Sequence, residues 1–153
     1  MGVYKVNTTP VKARLYLCIT ETGEKMTFTQ GMTMTKTFTV KEEHTAYHIG
    51  SGTVKVLGTP IMIAYMEITA MEMLDEHLDD AHTTVGTRVD VRHLAPSPLG
   101  AEIKVTAEVI EAAGPKTTLK VDAWYGDKLV GTGTHWRYTI NIEEFSRQID
   151  SKQ

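Results

Sequence analysis

The chain has 153 residues, a net charge of -3 and 41% hydrophobic residues, which predicts one globular domain large enough to bury a core. Its isoelectric point near 6.1 and its scattered basic residues provide no positive patch, so we expect no nucleic-acid partner. Cys18 is the only cysteine, which excludes an internal disulfide and a cysteine metal cluster and fits a cytoplasmic location. No apolar run reaches the ~18 residues that cross a bilayer, so we expect no membrane partner.

The N-terminal third of the chain is predicted to contain strands and a loop. Apolar residues of one parity over Val11–Ile19 predict a half-buried strand. The threonine-rich segment Met26–Val40 predicts a second strand, because threonine favours β structure. The segment His44–Val56 has two glycines and no clean period, so we expect a loop, of the kind that often lines sites.

A long apolar helix is predicted from Pro60 to about His77 or Leu78. Thr59 is a favoured N-cap residue, and proline suits the first helical position. Apolar residues occupy every side of this helix, so it should be wrapped by other structure. Glu67 lies inside that apolar run. Full burial would raise the pKa of its carboxyl by up to about 3 to 5 units, into the range useful for proton transfer near neutral pH.

Four strands and a short helix are predicted after the long helix, separated by turns rich in proline and glycine. The strand segments are Thr83–His93, Ile103–Val109, Leu119–Tyr125 and Lys128–Ile140. In the first, alternation places four residues on one face, directed at the helix: Val85, Val89, Val91 and His93. Asn141 and Glu144 resemble a capping box that begins the C-terminal helix.

This order of elements predicts an α+β fold in which an antiparallel β-sheet wraps around a long central helix, with a short C-terminal helix. It resembles the hotdog fold. The helix covers only one face of such a sheet, and sheet edges and an apolar flank are left to bury. We therefore expect a homodimer or a dimer of dimers.

The side chains with chemical potential are few. Strand parity directs His93 toward the helix that carries Glu67, so an acid and an imidazole are predicted to face each other. A histidine on an apolar strand face is, taken alone, more often a core residue. His77, His82 and His93 lack the spacing of a zinc site, so no metal is expected.

Several motifs together resemble the fluoroacetyl-CoA thioesterase branch of the hotdog superfamily. They are Thr59-Pro60-(six residues)-Glu67, Val85-Gly86-Thr87-(five residues)-His93, Pro98-Leu99-Gly100 and Gly131-Thr132-Gly133-Thr134-His135-Trp136-Arg137. The resemblance covers about residues 37–145 and is ungapped from Thr59 to His93. It implies a hotdog domain over residues 32–150, preceded by an N-terminal extension, residues 1–31, with an additional strand.

The resemblance also implies an activity and its residues. Thr59, Glu67 and His93 correspond to the family's catalytic threonine, glutamate and histidine, and Gly86 and Arg137 to substrate-binding positions. The implied reaction is hydrolysis of a short-chain or small acyl-CoA thioester to free acid and CoA. Coenzyme A enters as part of the substrate, so no separate cofactor is expected. Glu67 would attack the carbonyl or activate water, His93 would relay a proton, and Thr59 would position Glu67.

Two other functions stay open at this point. A non-catalytic acyl-CoA binding protein would keep the pocket without turnover. A hotdog hydratase or dehydratase would place a histidine before the helix in a Pro-Gly loop, and His48 is not followed by that dipeptide. The segment from Val40 to Thr59 contains no phenylalanine, whereas the fluoroacetyl-specific enzyme carries a phenylalanine lid there. Selectivity for fluoroacetyl groups is therefore not expected to carry over.

Overall fold

The computed structural model of the chain describes residues 28–151 and, before them, the backbone of residues 18–19 and 25–26. Two short strands, β1 (Cys18–Ile19) and β2 (Lys25–Met26), pair antiparallel. Most of the strand predicted over Val11–Ile19 lies outside the described residues, as does the Cys18 side chain.

The main body is a five-stranded antiparallel sheet with two helices, which confirms the predicted α+β class. The strands are β3 (Thr33–Thr39), β4 (His82–His93), β5 (Glu102–Ala113), β6 (Lys116–Tyr125) and β7 (Lys128–Asn141). Their order across the sheet is β3-β5-β6-β7-β4. Helix α1 (Thr59–Asp75) contacts β3, β4, β5 and β6, and helix α2 (Ile142–Asp150) follows β7.

Strand β3 is shorter than the predicted strand over Met26–Val40. Gly31 has a φ of 92°, a backbone conformation that a strand residue does not adopt. The chain therefore turns at Gly31, and β3 begins two residues later. A 3₁₀ helix at Glu42–His44 then leads into the loop before α1.

The start of α1 differs from the prediction by one residue, and the difference matters for the site. Gly58, with extended φ and ψ, is the N-cap, so Thr59 and Pro60 are the first two helical residues. The Thr59 side chain does not cap the helix, and its hydroxyl is available for another partner. The helix ends at Asp75, two to three residues before the predicted His77 or Leu78.

The hydrophobic core lies between α1 and the concave face of the sheet. Fully buried methionine and leucine side chains of α1, among them Met62, Met66 and Leu74, face buried strand residues such as Ile103 and Val121. The alternation of buried residues along β5 and β6 follows the predicted parity. At the end of β7, Asn141 accepts a hydrogen bond from the Glu144 N–H at 3.1 Å, which confirms the predicted cap of α2.

A β-bulge in β4 changes the predicted side-chain directions. The register against β7 shifts between Gly86 and Arg88. As a result Val89 lies opposite His135, whereas Val85 lies opposite Tyr138, three residues further along β7. Since side chains alternate between faces, Val85 and Val89 occupy opposite faces of the sheet, and the prediction that they share one is wrong. The bulge aligns Gly86 with the face that carries His93.

One side of α1 is left partly open in the single chain. Ala64, Glu67, Ile68 and Met71 are spaced as one helical stripe and are intermediate or exposed, with Ile68 at 36%. The prediction of a helix wrapped on every side is therefore wrong for one chain alone. Within the described residues, β4 lies at the sheet edge and pairs only with β7. The open stripe and the open edge both flank Glu67.

Candidate active site

The first polar element of the site is the Thr59–His93 pair. Thr59 stands at the first position of α1, and His93 is the last residue of β4. Thr59 Oγ1 lies 2.8 Å from His93 Nδ1, a normal hydrogen-bond distance. The hydrogen bond exists because Thr59 is inside the helix rather than at its cap, which leaves the hydroxyl free to reach the strand.

The other nitrogen of His93 has no partner among the described residues. Its Nε2 is buried, and no described group lies in hydrogen-bonding geometry with it. Burial lowers the pKa of His93 below its usual value of 6.5, and the backbone of Ala95 has a weaker, opposite effect. The imidazole is therefore neutral at pH 7, with one nitrogen hydrogen-bonded to Thr59 and the other without a partner among the described residues.

A pocket of about 380 Å³ lies beside this pair. It is lined by residues of the loop before α1, by Thr59 and by the chain that continues β4, including Leu57, His93 and Ala95. The Thr59 N–H is at the helix N-terminus and has no backbone acceptor among the described residues. Free N–H groups and the helix dipole make such an end favourable for negative charge.

The second polar element surrounds Glu67, two turns further along α1. We call it the Glu67 cluster, and its members are Glu67, Gly86, His135 and Arg137. The Glu67 side chain is 42% exposed, and its Oε1 lies 3.8 Å from His135 Nε2, too far for a hydrogen bond. The expectation of a fully buried carboxylate is thus wrong for the single chain. Glu67 instead lines an open pocket of about 340 Å³ with Gly86 and Arg137.

Gly86 permits the close approach of the carboxylate to β4. A Cβ atom built on Gly86 would lie 2.8 Å from Glu67 Oε1 and 3.1 Å from His135 Cε1. Any side chain at this position would push the carboxylate away. The absence of a side chain at Gly86, rather than a special backbone angle, therefore keeps the cluster compact.

Arg137 is a buried, fixed cation in this cluster. It is 6% exposed and donates from Nε to Thr84 Oγ1 at 2.8 Å and from Nη2 to the Thr84 carbonyl at 2.6 Å. Burial lowers the pKa of the guanidinium, while the carboxylates of Glu67 and Asp75 act in the opposite direction. Arginine stays protonated in proteins, so a positive charge stands beside Glu67.

His135 was not predicted as a site residue. It is buried, and burial together with the Arg137 charge lowers its pKa, whereas the Arg88 backbone and Glu67 raise it. The signal was present in the sequence: Gly131, Gly133, His135 and Arg137 alternate along β7 and so share one face. The end of this face that carries His135 and Arg137 lies beside Glu67.

The structure does not bring the three predicted catalytic residues together in one chain. Thr59 and Glu67 are eight residues apart on α1, or about 12 Å along the helix axis at 1.5 Å per residue. Within residues 28–151 no hydrogen bond joins Glu67 to His93 or to Thr59. The prediction that Thr59 contacts Glu67, and the direct pairing of Glu67 with His93, therefore do not hold inside a single chain.

Among the described residues there is no group of three or more histidine, cysteine, aspartate or glutamate side chains placed to hold a metal ion. None of the described helices has the length and apolar character required to span a bilayer. His48, considered above for a hydratase, is exposed and does not line either pocket.

Solved structures share this fold. The fluoroacetyl-CoA-specific thioesterase FlK superposes with a TM-score of 0.76 and 28% sequence identity, over 81% of this chain and 96% of that one. A variant of FlK in complex with fluoroacetate and CoA gives a TM-score of 0.72 and 29% identity, over 76% and 98% of the two chains. A hot-dog-like protein from Thermanaerovibrio acidaminovorans, 23% identical, gives 0.75 over 80% and 91%. The fold is therefore the predicted hotdog fold.

The sequence defines the family within that fold. The family profile described as fluoroacetyl-CoA-specific thioesterase matches residues 40–143, more than half of the chain. The fluoroacetyl-CoA thioesterase of Streptantibioticus cattleyicolor is 31% identical over 98 residues, which are 64% of this chain and 70% of that enzyme. The chain belongs to the fluoroacetyl-CoA-specific thioesterase family, and it is an acyl-CoA thioesterase by class.

The lowered pKa values of His93 and His135 predict a pH-dependent stability. Because burial lowers the pKa of His93 and His135, the unfolded chain binds more protons than the folded chain between the lowered pKa values and 6.5. Stability should therefore rise with pH up to about 6.5 and level off above it. Each histidine contributes a slope of at most about 1.4 kcal/mol per pH unit.

The measurement is urea denaturation between about pH 5 and 7.5, above the range where ordinary carboxyls titrate. His93→Asn keeps a polar group near the Nδ1 position but cannot titrate, so its slope should be smaller than the wild-type slope. Equal slopes in the two proteins would contradict the lowered pKa of His93.

Proposed function

We propose that this thioesterase hydrolyses short-chain or small acyl-CoA thioesters to the free acid and CoA, using Glu67 as nucleophile or general base. The observation that carries the proposal is the Glu67 cluster: an accessible carboxylate lies in a pocket beside a fixed cation and a buried imidazole. Family membership supports the reaction class. Carboxylate, imidazole and hydroxyl groups suffice for this chemistry, so no cofactor besides the CoA of the substrate is proposed.

Glu67 has two ways to start the reaction. Its carboxylate can attack the thioester carbonyl, which breaks the C–S bond, releases CoA as the thiolate and leaves a mixed anhydride that water then hydrolyses. Alternatively, it can take a proton from a water molecule that attacks the carbonyl and displaces the CoA thiolate. In both routes the thiolate then takes up a proton. Both need a carboxylate that is ionised and reachable. The 42% exposure of the Glu67 side chain leaves room for substrate.

We propose that the Thr59–His93 pair stabilises the negative charge on the carbonyl oxygen and supplies a proton to the leaving thiol. The Thr59 N–H at the start of α1 is suited to stabilise an oxyanion. The unpartnered Nε2 of His93 is suited to relay a proton, since the ring is neutral and held by Thr59. Thr59 thus positions His93 rather than Glu67 of its own chain.

Thr59 and Glu67 lie about 12 Å apart along the helix axis, and we propose that a second chain completes the site. The edge of β4 runs from Gly86 to His93, and in the register against β7 both residues are three positions from Asp90, because the bulge adds one residue between Gly86 and Arg88. Two such edges that pair antiparallel about a two-fold axis at Asp90 therefore place Gly86 opposite the partner's His93. The Glu67 cluster of one protomer then meets the Thr59–His93 pair of the other.

A homodimer of this kind would also cover the open stripe of α1. Ile68 and Met71 flank Glu67 and are left partly exposed by the single chain. Their burial between two protomers would remove apolar surface from water and desolvate Glu67 at the same time. The dimer is therefore proposed both for stability and for a complete active site. Analytical ultracentrifugation distinguishes this dimer from a dimer of dimers.

For the acyl group of the substrate we propose a small size rather than one particular identity. The similar enzymes are named for fluoroacetyl-CoA, yet the loop before α1 has no phenylalanine between Val40 and Thr59. Tyr47 in this loop is 56% exposed and does not line the pocket beside His93. We therefore expect hydrolysis of acetyl-CoA and fluoroacetyl-CoA without strong preference between them.

Replacing the Glu67 carboxylate should abolish most activity. Glu67→Gln removes the nucleophile or base at constant size, so kcat should fall by about 10²- to 10⁴-fold. The measurement is CoA release from a panel of short acyl-CoAs, followed with a thiol reagent. Glu72→Gln is the matched control, because Glu72 lies on the same helix at 40% exposure and pairs with Lys36 on the surface.

The control should keep nearly all of the wild-type rate. Hydrolysis by Glu67→Gln at the wild-type rate would contradict the proposed role of Glu67. A wild-type protein that binds acyl-CoA without releasing CoA from any ester in the panel would instead identify a binding protein.

The dimer is tested by a charge in the open stripe. Ile68→Glu places a second carboxylate beside Glu67 at the proposed interface, so the variant should be monomeric by analytical ultracentrifugation and should lose activity. Ile110→Glu is the control, because Ile110 is 38% exposed against 36% for Ile68 but lies on β5. A wild-type protein that is monomeric at assay concentration would contradict the shared site.

A further inference from the structure

His135 is almost completely buried, at 1% exposure, and each of its ring nitrogens has a hydrogen-bond partner. Its Nδ1 lies 3.0 Å from the Arg88 carbonyl oxygen. A carbonyl only accepts, so Nδ1 must carry the proton. Its Nε2 lies 3.0 Å from Nη1 of Arg137. A guanidinium only donates, so Nε2 must be the unprotonated acceptor. The two neighbours together fix a single neutral tautomer of the ring.

The hydrogen bond from Arg137 Nη1 to His135 Nε2 also helps to fix the position of the guanidinium. Thr84 takes one hydrogen from Nε and one from Nη2, and His135 takes one from Nη1. Three of the five guanidinium N–H groups are thus used to fix its position. One hydrogen on Nη1 and one on Nη2 are left for the pocket that Arg137 shares with Glu67.

The His135 ring also forms a wall of the space that Glu67 occupies. Its Nε2 is 3.8 Å from Glu67 Oε1, and its Cε1 would be 3.1 Å from a Cβ on Gly86. A side chain on Gly86 would therefore collide with both the ring and the carboxylate. His135 adds the third hydrogen bond that orients the guanidinium and limits the space available to the carboxylate.

We infer that His135 is a positioning residue of the active site, which holds Arg137 through the acceptor nitrogen Nε2 and so aims the two free N–H groups of the guanidinium at the reacting end of the substrate. The inference rests on the proposed function of the Glu67 cluster. It requires an uncharged acceptor at this point, since a protonated ring would turn a second N–H toward the cation.

Two amide variants separate positioning from simple filling of space. In His135→Gln the amide lies near the place of Nε2 and can still accept from Arg137, while the contact with the Arg88 carbonyl is lost. In His135→Asn the amide lies near the place of Nδ1 and can still donate to Arg88, while the contact with Arg137 is lost. A role confined to the packing of β4 against β7 favours asparagine, and the positioning role favours glutamine.

The expected result is that kcat with acetyl-CoA falls by about 10²-fold in His135→Asn, as for a catalytic group displaced by about 1 Å. His135→Gln should keep kcat within about tenfold of wild type, and KM should change little in both. Asparagine as active as glutamine, in variants that are both folded by circular dichroism, would overturn the inference.

A second readout does not depend on catalysis. Long-range ¹H–¹⁵N NMR of the folded wild-type protein at pH 7 should show His135 protonated at Nδ1 only, and a ring protonated at Nε2 would overturn the inference. The outcomes also separate the two proposals. A wild-type protein that hydrolyses no acyl-CoA contradicts the proposed function, whereas an active wild type with equal amide variants contradicts the role of His135 alone.

Discussion

The bulge in β4 between Gly86 and Arg88 determines which side chains of that strand reach the central helix. If the same residues alternated regularly, without a bulge, Val85 rather than Gly86 would lie on the face of β4 that carries His93. With it, a residue lacking a side chain lies against Glu67 at one end of the strand, and an imidazole lies against Thr59 at the other. Both polar elements of the site therefore depend on one local irregularity in an otherwise regular sheet.

The second consequence of this geometry is that the two polar elements stay apart within one chain. The Glu67 cluster provides a carboxylate, a fixed cation and a neutral ring. The Thr59–His93 pair provides a helix N-terminus and an imidazole with an unused nitrogen. A helix rises about 1.5 Å per residue, so Thr59 and Glu67 are about 12 Å apart along the helix axis. The open stripe of α1 and the open edge of β4 supply the surface on which a second copy would bring them together.

Much of the fold could be predicted from the sequence, because the patterns are local. Alternation located β5, β6 and β7, and Asn141 marked the start of α2. The errors came from features that no local pattern carries. Parity counting assumes an unbroken period of two, so it placed Val85 on the wrong face. The preference of threonine for the N-cap position predicted Thr59 as the cap, whereas Gly58 is the N-cap and Thr59 is the first helical residue. The apolar surroundings of Glu67 predicted burial, but one chain leaves that face of the helix open. His135 becomes a candidate site residue only when β7 is placed beside the helix.

Glu67 of one protomer is proposed to work with Thr59 and His93 of the other. It is tested most directly by mixing two inactive variants, Glu67→Gln and His93→Asn, after dissociation and reassociation in equal amounts. Random pairing makes half of the dimers mixed, and each mixed dimer contains one intact site and one doubly defective site. The activity recovered should be about a quarter of the wild-type value. If both residues acted within a single chain, no mixture would contain an intact site, and the absence of any recovery in confirmed mixed dimers would contradict the claim.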